Sequence, residues 1–495
     1  MSTRPLAVDA RLRWPLFDVA GTRRIEQLAL ASVAPHTLMQ RAGLAVARLA
    51  LAVAPHARTV WVAAGPGNNG GDGLEAAAQL QRMGKRPVVT WLGQAATASS
   101  DTAAAWRRAC DAGAEFAAAP PPAPELCIDA LLGIGAGRAP AGTMADWIAH
   151  MAASHAPVLA IDLPTGLDAD TGQAAQTHVR AQHTLSLLTL KPGLFTAMGR
   201  DAAGRVWFDD LQVRAQDAPF AGAAAPCATY GGRPGGRARP HASHKGSYGD
   251  VAVVGGAPGM AGAAWLAASA ALHYGAGRVY LAALDPTVSA TVLAGQPELM
   301  LRAAKDIDLG ACTVVCGCGG GDAVRAELPR VLAGAARLVL DADALNALAG
   351  DTQLQAQLRR RAQRGLPTVL TPHPLEAARL LATDSRGVQQ DRLSAARQLA
   401  EGYHCTVLLK GSGTVIASPG QLPHINPTGN ARLATAGTGD VLAGALGAAL
   451  AGGLSGHGAA CEVAWQHGLC ADSWPAGSTL VAGDLARHLH PPEGS

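Results

Sequence analysis

Ala436-Gly437-Thr438-Gly439-Asp440, the centre of a stretch running from Asn426 to Leu454, sets two glycines and a carboxylate at the head of a Gly/Ala-rich apolar segment. Gly437 and Gly439 reach backbone angles closed to other residues, so the turn can aim successive N–H groups into one concavity at the start of the next helix. That concavity suits an anion. Asp440 falls in the first helical turn, where a carboxylate beside a bound phosphate can take a proton from a substrate hydroxyl. The chemistry these residues suit is phosphoryl transfer. The plainer alternative is a glycine-containing loop with Asp440 as a helix cap.

A second set of polar loops lies in the first half. A strand over 59–64 ends in Gly65-Pro66-Gly67-Asn68-Asn69-Gly70-Gly71-Asp72-Gly73, and a helix is expected over 74–83. Strand, glycine-rich turn and helix in that order let backbone amides approach a phosphate closely. With two Asn, an Asp and no GK[ST], the loop is neither a dinucleotide fingerprint nor a Walker loop, and its oxygens also suit a hard cation. Further strands are expected over 87–92, over 126–131 with Asp129 leading into Gly133-Ile134-Gly135-Ala136-Gly137-Arg138, and over 157–161 ending in Asp162-Leu163-Pro164-Thr165-Gly166-Leu167-Asp168. Apolar spacing predicts two helices within 22–54, broken at Pro35, and another over 102–112.

These loops must be brought together by alternating strands and helices. That pattern predicts a parallel sheet with helices on both faces, its strand ends sharing one crevice. The second half repeats it. Strands over 251–254, 279–283, 312–316, 338–340, 369–370 and 406–409 each run into a polar loop, the last into Lys410-Gly411-Ser412-Gly413-Thr414. Between the halves, Gln212 to His241 is rich in Ala, Pro, Gly and Arg without periodicity, which marks a boundary.

At 495 residues with 49% hydrophobic and 16% charged residues, the chain has material for two cores and little for long disorder. A net charge of +3 with dispersed basic residues argues against a nucleic-acid surface. Nine cysteines, odd in number and unevenly spaced, fit free thiols in a reducing compartment. Cys312, Cys316 and Cys318 cluster, but no second CxxC or His pair accompanies them, which weighs against zinc. Residues 1–17 hold charges and prolines without an apolar core, and Val441 to Leu454 is too short and small-residue-rich to span a membrane. A soluble, cytoplasmic protein with no membrane or nucleic-acid partner is expected.

The motifs GPGNNGGDG, DALLGIGAGR and DLPTGLDADTG resemble the epimerase domain of the NAD(P)H-hydrate repair enzymes over about 20–215. The resemblance implies a Rossmann-like three-layer αβα fold with substrate contacts at Asn68, Asn69, Gly70, Gly71 and Asp72, at Gly133, Ile134, Gly135, Ala136, Gly137, Arg138 and Ala139, and at Asp162. It implies a potassium ion held by Asn69, Asp129 and Thr165, with Thr165 where the family more often has Ser. Lys191, in Leu190-Lys191-Pro192-Gly193-Leu194, resembles the family's lysine after the last strands and joins Asp162 as the candidate pair for proton transfer. A surface lysine before a turn is the alternative.

From about Lys245 to Ala482, KGSYG, GGAPGMAGAA, DADALNAL, TPHPLE, LKGSGT and AGTGD resemble in order the ribokinase-like dehydratase domain of the same enzymes. This implies hydrate contacts at Ala263, Gly319, His373 and Asp440, and an adenine nucleotide on Lys410, Gly411, Ser412, Gly413, Thr414 and Gly439. Ala436 and Leu433 depart from the family's usual Gly and Met, and His373 between two prolines could instead shape a turn. The implied reaction has Asp440 deprotonate the ring hydroxyl of the hydrated nicotinamide, which takes the terminal phosphoryl of ADP with Mg²⁺ and then leaves as phosphate. ADP rather than ATP is suggested by the bacterial-type relatives, not by these residues. The expected organisation is an epimerase domain over 1–215, a linker over 216–242 and a dehydratase domain over 243–495. NADHX, NADPHX and ADP are the expected small-molecule partners, and a homo-oligomer is expected. A small-molecule kinase shares the GTGD loop but has no need of NNGGDG; a first half reduced to a scaffold would have no need of Asn69, Asp129, Asp162 and Lys191.

Overall fold

The computed structural model describes residues 4–135, 139–213, 222, 224–288 and 295–492. The chain forms two compact units. One holds Trp14–Thr229 with the N-terminal residues up to Asp9; the other holds Tyr230 onward with Ala10–Arg13.

The sheet of the first unit runs, edge to edge, through Leu6–Ala7, Arg205–Asp209, His183–Leu187, Val158–Ile161, Leu126–Ala130, Thr59–Ala64, Arg86–Trp91 and Glu115–Phe116. All neighbours are parallel except the antiparallel Leu6–Ala7 edge. Alternate residues of Thr59–Ala64 enter two different cores. Val60, Val62 and Ala64 pack with the helix Thr37–Val53, and Trp61 and Ala63 pack with Trp147, Ile148 and Met151 of Thr143–Ala153. Strands buried on both faces read as unbroken apolar runs, as TVWVAA does. From Thr59–Ala64 the chain winds outward to Glu115–Phe116, then returns to place Leu126–Ala130 on the other side. The order therefore reverses between Thr59–Ala64 and Leu126–Ala130, the position at which open parallel sheets bind ligands. In register, Asp129 pairs with Ala63 on one side and Ala160 on the other.

The helix expected over 74–83 begins six residues earlier, at Asn68, and ends at Arg82. Its glycines are helical because neighbours leave no room for a side chain. A Cβ on Gly70 would lie 1.9 Å from the Gly65 carbonyl oxygen, and one on Gly73 2.5 Å from the Ala130 Cβ. Close tertiary packing thus outweighs the roughly 1 kcal/mol each glycine costs a helix. The strands Leu6–Ala7, Glu115–Phe116, His183–Leu187 and Arg205–Asp209 were not predicted.

In the second unit the strands between Asp250 and Ile425 lie in the order Met300–Leu301, Arg278–Ala283, Asp250–Gly255, Cys312–Cys316, Arg337–Leu340, Thr368–Leu370, Thr406–Leu409, Val415–Ala417 and His424–Ile425. They are parallel up to Thr406–Leu409 and antiparallel beyond. The order reverses between Asp250–Gly255 and Cys312–Cys316. The helices Ala261–His273 and Thr438–Ala451 pack on each other and on this sheet. Their contact depends on missing side chains: a Cβ on Gly444 would sit 1.9 Å from the Ala267 carbonyl oxygen, and one on Gly447 2.4 Å from Val315 Cγ2. The Ala/Gly-rich segment after Asp440 is therefore a buried helix against a sheet. No helix among the described residues is long and apolar enough to cross a membrane.

Candidate active sites

In the first unit a cavity of about 440 Å³ opens where the strand order reverses. Pro66, Gly67, Asn68, Asn69 and Asp72 from the first loop and helix turn line it, with Gly133, Ile134 and Gly135 from the second loop and Asp162 and Lys191 from the third. The Asn68–Arg82 helix has no side-chain cap, so its leading N–H groups are open toward the cavity mouth. Gly70 and Gly71 are buried behind that turn and do not line the cavity; Ala139 is exposed and does not line it either. Ala136, Gly137 and Arg138 lie outside the described residues.

Asp129 is fully buried. It accepts hydrogen bonds from the Thr165 hydroxyl at 2.7 Å, the Thr165 N–H at 2.8 Å and the Leu131 N–H at 3.2 Å. No lysine or arginine pairs with it among the described residues, and burial pushes its pKa to about 6. The Thr165 hydroxyl in turn accepts from the Leu132 N–H at 3.0 Å. A Cβ on the adjacent Gly133 would touch the Asn69 carboxamide at 3.4 Å, and Asn69 Nδ2 is buried without a hydrogen-bond partner. Asn69, Asp129 and Thr165 thus surround one turn, Leu131–Gly133.

Asp162 follows the strand Val158–Ile161 with φ at +67°, a left-handed conformation rare for a residue with a side chain. Its carboxylate accepts from the Leu187 N–H at 3.2 Å and from the Lys191 ammonium. Lys191 is 1% exposed and also donates to the Leu187 carbonyl at 2.8 Å, so it is a buried partner of Asp162 and not a surface residue. Two further carboxyls face the same cavity. Burial, then Asp162, raise Glu26 above the usual carboxylate range, and burial, then Asp162 and Glu26, raise Asp72 well above it. Glu26 and Arg23, from the helix Val19–Ser32, were missed in sequence. The available signal was Thr22 and Glu26, polar residues four apart on the face that buries Ile25 and Ala29.

In the second unit, Gly437 caps the helix Thr438–Ala451 with φ at +88°, and no side chain caps it. Asp440 stands in the first turn, and burial, then Asp341, push its pKa to about 6. Cys318 from the Gly317–Gly321 loop reaches the Asp440 carboxylate with its thiol, and burial, then Asp440 and Asp341, raise the thiol far above its usual value. Cys318, Asp341 and Asp440 each bring one ligand atom within 4.8 Å of the others. Cys312 and Cys316, close to Cys318 in sequence, stay buried on the strand, with thiols pushed to about 11 and about 12 by burial, in line with the reading against a three-cysteine metal site.

Lys410 donates to Asp341 Oδ1 at 2.7 Å and lies 3.9 Å from Glu376. Burial lowers the lysine's pKa, but Asp341 and Glu376 outweigh it and hold it above the usual value. Gly439 sits against the same ammonium, since a Cβ there would be 3.4 Å from Lys410 Nζ. Gly411 has φ at +137° beside the Arg392 guanidinium, which donates to the Leu409 and Lys410 carbonyls at 3.2 and 3.1 Å. Ser412 and Gly413 continue that turn, and Thr414 donates to the Gly411 carbonyl at 3.2 Å. Gly319, at φ +57°, packs on Ala263, whose Cβ is 2.9 Å from where a Gly319 Cβ would stand. His373 caps the helix Pro374–Leu380 through Nδ1 and stands 3.2 Å from Glu376, whose carboxyl burial pushes to about 7. Burial, then Lys410, lower His373. Asp341, Glu376 and Cys318 belong to motifs visible in sequence, but only the strand order brings Asp341 and Cys318 to Asp440 and Glu376 to Lys410.

A sheet-end cavity in the first unit and a cluster of charged side chains at the strand ends of the second, each beside an uncapped helix N-terminus and a perturbed carboxyl, define a two-unit α/β enzyme. A family model described as NAD(P)H-hydrate dehydratase matches residues 251–491, and one described as YjeF-related protein N-terminus matches residues 35–193. The bifunctional NAD(P)H-hydrate repair enzyme of Escherichia coli is 34% identical over 491 residues, covering 95% of this chain and 91% of its own. The ADP-dependent (S)-NAD(P)H-hydrate dehydratase of Neisseria meningitidis serogroup B is 44% identical over 261 residues, 52% of this chain and 87% of its own. A Bacillus subtilis ADP/ATP-dependent NAD(P)H-hydrate dehydratase, co-crystallised with ATP and Mg²⁺, is 29% identical with a TM-score of 0.44, covering 51% of this chain and 91% of its own. The chain belongs to the bifunctional NAD(P)H-hydrate repair enzymes.

Proposed function

We propose that the first unit interconverts the R and S epimers of hydrated NADH and NADPH, and that the second dehydrates the S form with ADP, yielding AMP and phosphate. ADP is favoured as donor because the Neisseria relative, named for ADP, is 44% identical over 261 residues. The observation that carries the dehydratase assignment is Asp440: a carboxyl held at about 6 in the first turn of an uncapped helix, beside Lys410. A base of that strength is ionised at neutral pH and can still accept a proton as the hydroxyl attacks. The Gly437–Gly439 amides would receive the phosphates of ADP, with Lys410 and the Gly411–Thr414 turn holding the nucleotide, and Mg²⁺ bound with it would offset the phosphate charge. Ala263, Gly319 and His373 line the hydrate's side. Phosphorylation turns hydroxide, a poor leaving group, into phosphate, and elimination restores the dihydropyridine.

In the first unit, loss and return of water at the hemiaminal carbon needs a proton carrier shielded from solvent, a role the Asp162–Lys191 pair fills. The residues fit a potassium ion: Asp129 is a buried carboxylate with no lysine or arginine partner among the described residues, and the Thr165 hydroxyl and the Asn69 carboxamide, whose oxygen lies beside Gly133, stand around the same turn. When bound, the ion neutralises that carboxylate and fixes the Leu131–Gly133 turn.

The test is Asp440→Asn. Nucleotide-dependent recovery of reduced-nicotinamide absorbance should fall about 10²–10⁴-fold with nucleotide affinity retained, and the wild-type rate should drop about tenfold per pH unit below about pH 6. Turnover within a fewfold of wild type removes Asp440 as the base.

A further inference from the structure

Cys318 is fully buried and Asp341 2% exposed, and both meet Asp440 at the point where the strand order of the second sheet reverses. Three separate segments supply them: the loop after Cys312–Cys316, the residue after Arg337–Leu340, and the first turn of Thr438–Ala451. Asp341 Oδ1 accepts from both Thr371, at 2.7 Å, and Lys410, at 2.7 Å. Its Oδ2 accepts no hydrogen bond among the described residues, an unmatched acceptor on a nearly buried side chain. Metal–sulfur bonds of about 2.3 Å and metal–oxygen bonds of about 2.0–2.2 Å let one ion bridge donors up to about 4.5 Å apart. The observed limit of 4.8 Å is within a small side-chain adjustment of that span.

We infer that Cys318, Asp341 and Asp440 form a site for one thiophilic divalent cation, of which zinc is the type, and that its occupancy switches off the dehydratase. The charges close. The Cys318 thiol gives its proton to solvent as the metal–sulfur bond forms; the thiolate and two carboxylates then carry three negative charges against two from the ion and one from Lys410. Sulfur in the donor set favours zinc over magnesium, which prefers all-oxygen octahedra. Among the described residues no other group of three His, Cys, Asp or Glu side chains is so placed. A cation there occupies the carboxylate that would accept the substrate's proton, so the inhibitory part rests on Asp440 being the base; the binding part does not. The first unit has no such cluster among its described residues, so a thiophilic ion stops repair at the dehydration step and leaves epimerisation running.

Cobalt(II) is the binding probe, added to the full-length protein. The site predicts a near-ultraviolet thiolate-to-cobalt charge-transfer band that saturates at one equivalent, disappears in Cys318→Ser and in Cys318→Ala, and is bleached by zinc. Zinc-edge absorption on the wild-type protein, which needs no variant, should show one sulfur at about 2.3 Å with oxygens completing the shell. Each variant's dehydration, scaled to its own metal-free rate, should need at least about tenfold more zinc for half-inhibition than wild type. No band at one equivalent, a band that survives both substitutions, or a shell without sulfur overturns the site. A Cys318-dependent band with undiminished dehydration upholds the metal site and instead removes Asp440 as the base.

Discussion

Asp129 is the residue whose environment demands most from something other than protein. Burial holds it at about 6, above its ordinary 3.8, so charging it costs folding free energy. Without a cation, stability contributed at this residue is highest while the carboxyl is protonated and falls as pH rises from about 4 to about 6. A bound potassium ion reverses that, because it favours the charged form; its stabilisation is present above about pH 6 and lost as pH falls through it. At 100 times its dissociation constant the ion adds about 2.7 kcal/mol, a rise of several degrees in the midpoint for a unit this size. Thermal melts in potassium against a large organic cation should show that rise at pH 7.5 and little of it at pH 5; Asp129→Asn should melt identically in both salts. At this scale sequence showed a good deal. Asp440 was placeable because a first-turn position depends only on the next few residues. Glu26, Asp341 and Cys318 were not, because each becomes chemically relevant only against groups more than 20 positions away in sequence.

The helix Thr438–Ala451 carries Asp440 on a backbone pressed against Ala261–His273 and the sheet, and its glycines are spacers that permit that approach. Gly444→Ala forces a methyl to within 1.9 Å of the Ala267 carbonyl oxygen and should cost about 1–3 kcal/mol in urea unfolding. Gly402→Ala, in the helix Arg392–Tyr403 with nothing within 4 Å of its new methyl, should be neutral or stabilise by up to about 1 kcal/mol. Equal losses at the two positions would mean that the glycines act through helix propensity and not through contact. The same effect explains the misplaced start of Asn68–Arg82. Three glycines in six residues read as a loop from propensity, but their crowded surroundings make them the residues that admit a helix there. Most inner strands were legible because buried parallel strands are continuous apolar runs; His183–Leu187 and Arg205–Asp209, interrupted by polar residues, were not, nor were the edge strands Leu6–Ala7 and Glu115–Phe116, since two residues carry no period.

Each unit gathers its candidate site residues from its own strand-end loops, so the two activities should separate cleanly. Asp162→Asn should abolish epimerisation and spare dehydration of the S hydrate; Asp440→Asn should do the reverse. Neither variant alone should recover reduced nicotinamide from pure R hydrate, within the time before spontaneous epimerisation contributes. An equimolar mixture of the two should recover it with ADP present. A mixture as inactive as its components would show that the sites depend on each other within one chain.

The central chemical claim is that the hydrate's own hydroxyl oxygen becomes the bridging oxygen of a phosphate ester and departs with the phosphorus. The most direct measurement supplies S hydrate labelled with ¹⁸O in the ring hydroxyl, together with unlabelled ADP and the wild-type protein, and determines by mass spectrometry where the label goes. One labelled oxygen in each inorganic phosphate released, matched one to one with AMP and restored nicotinamide, is the predicted result. Label found in water, with unlabelled phosphate, would contradict it.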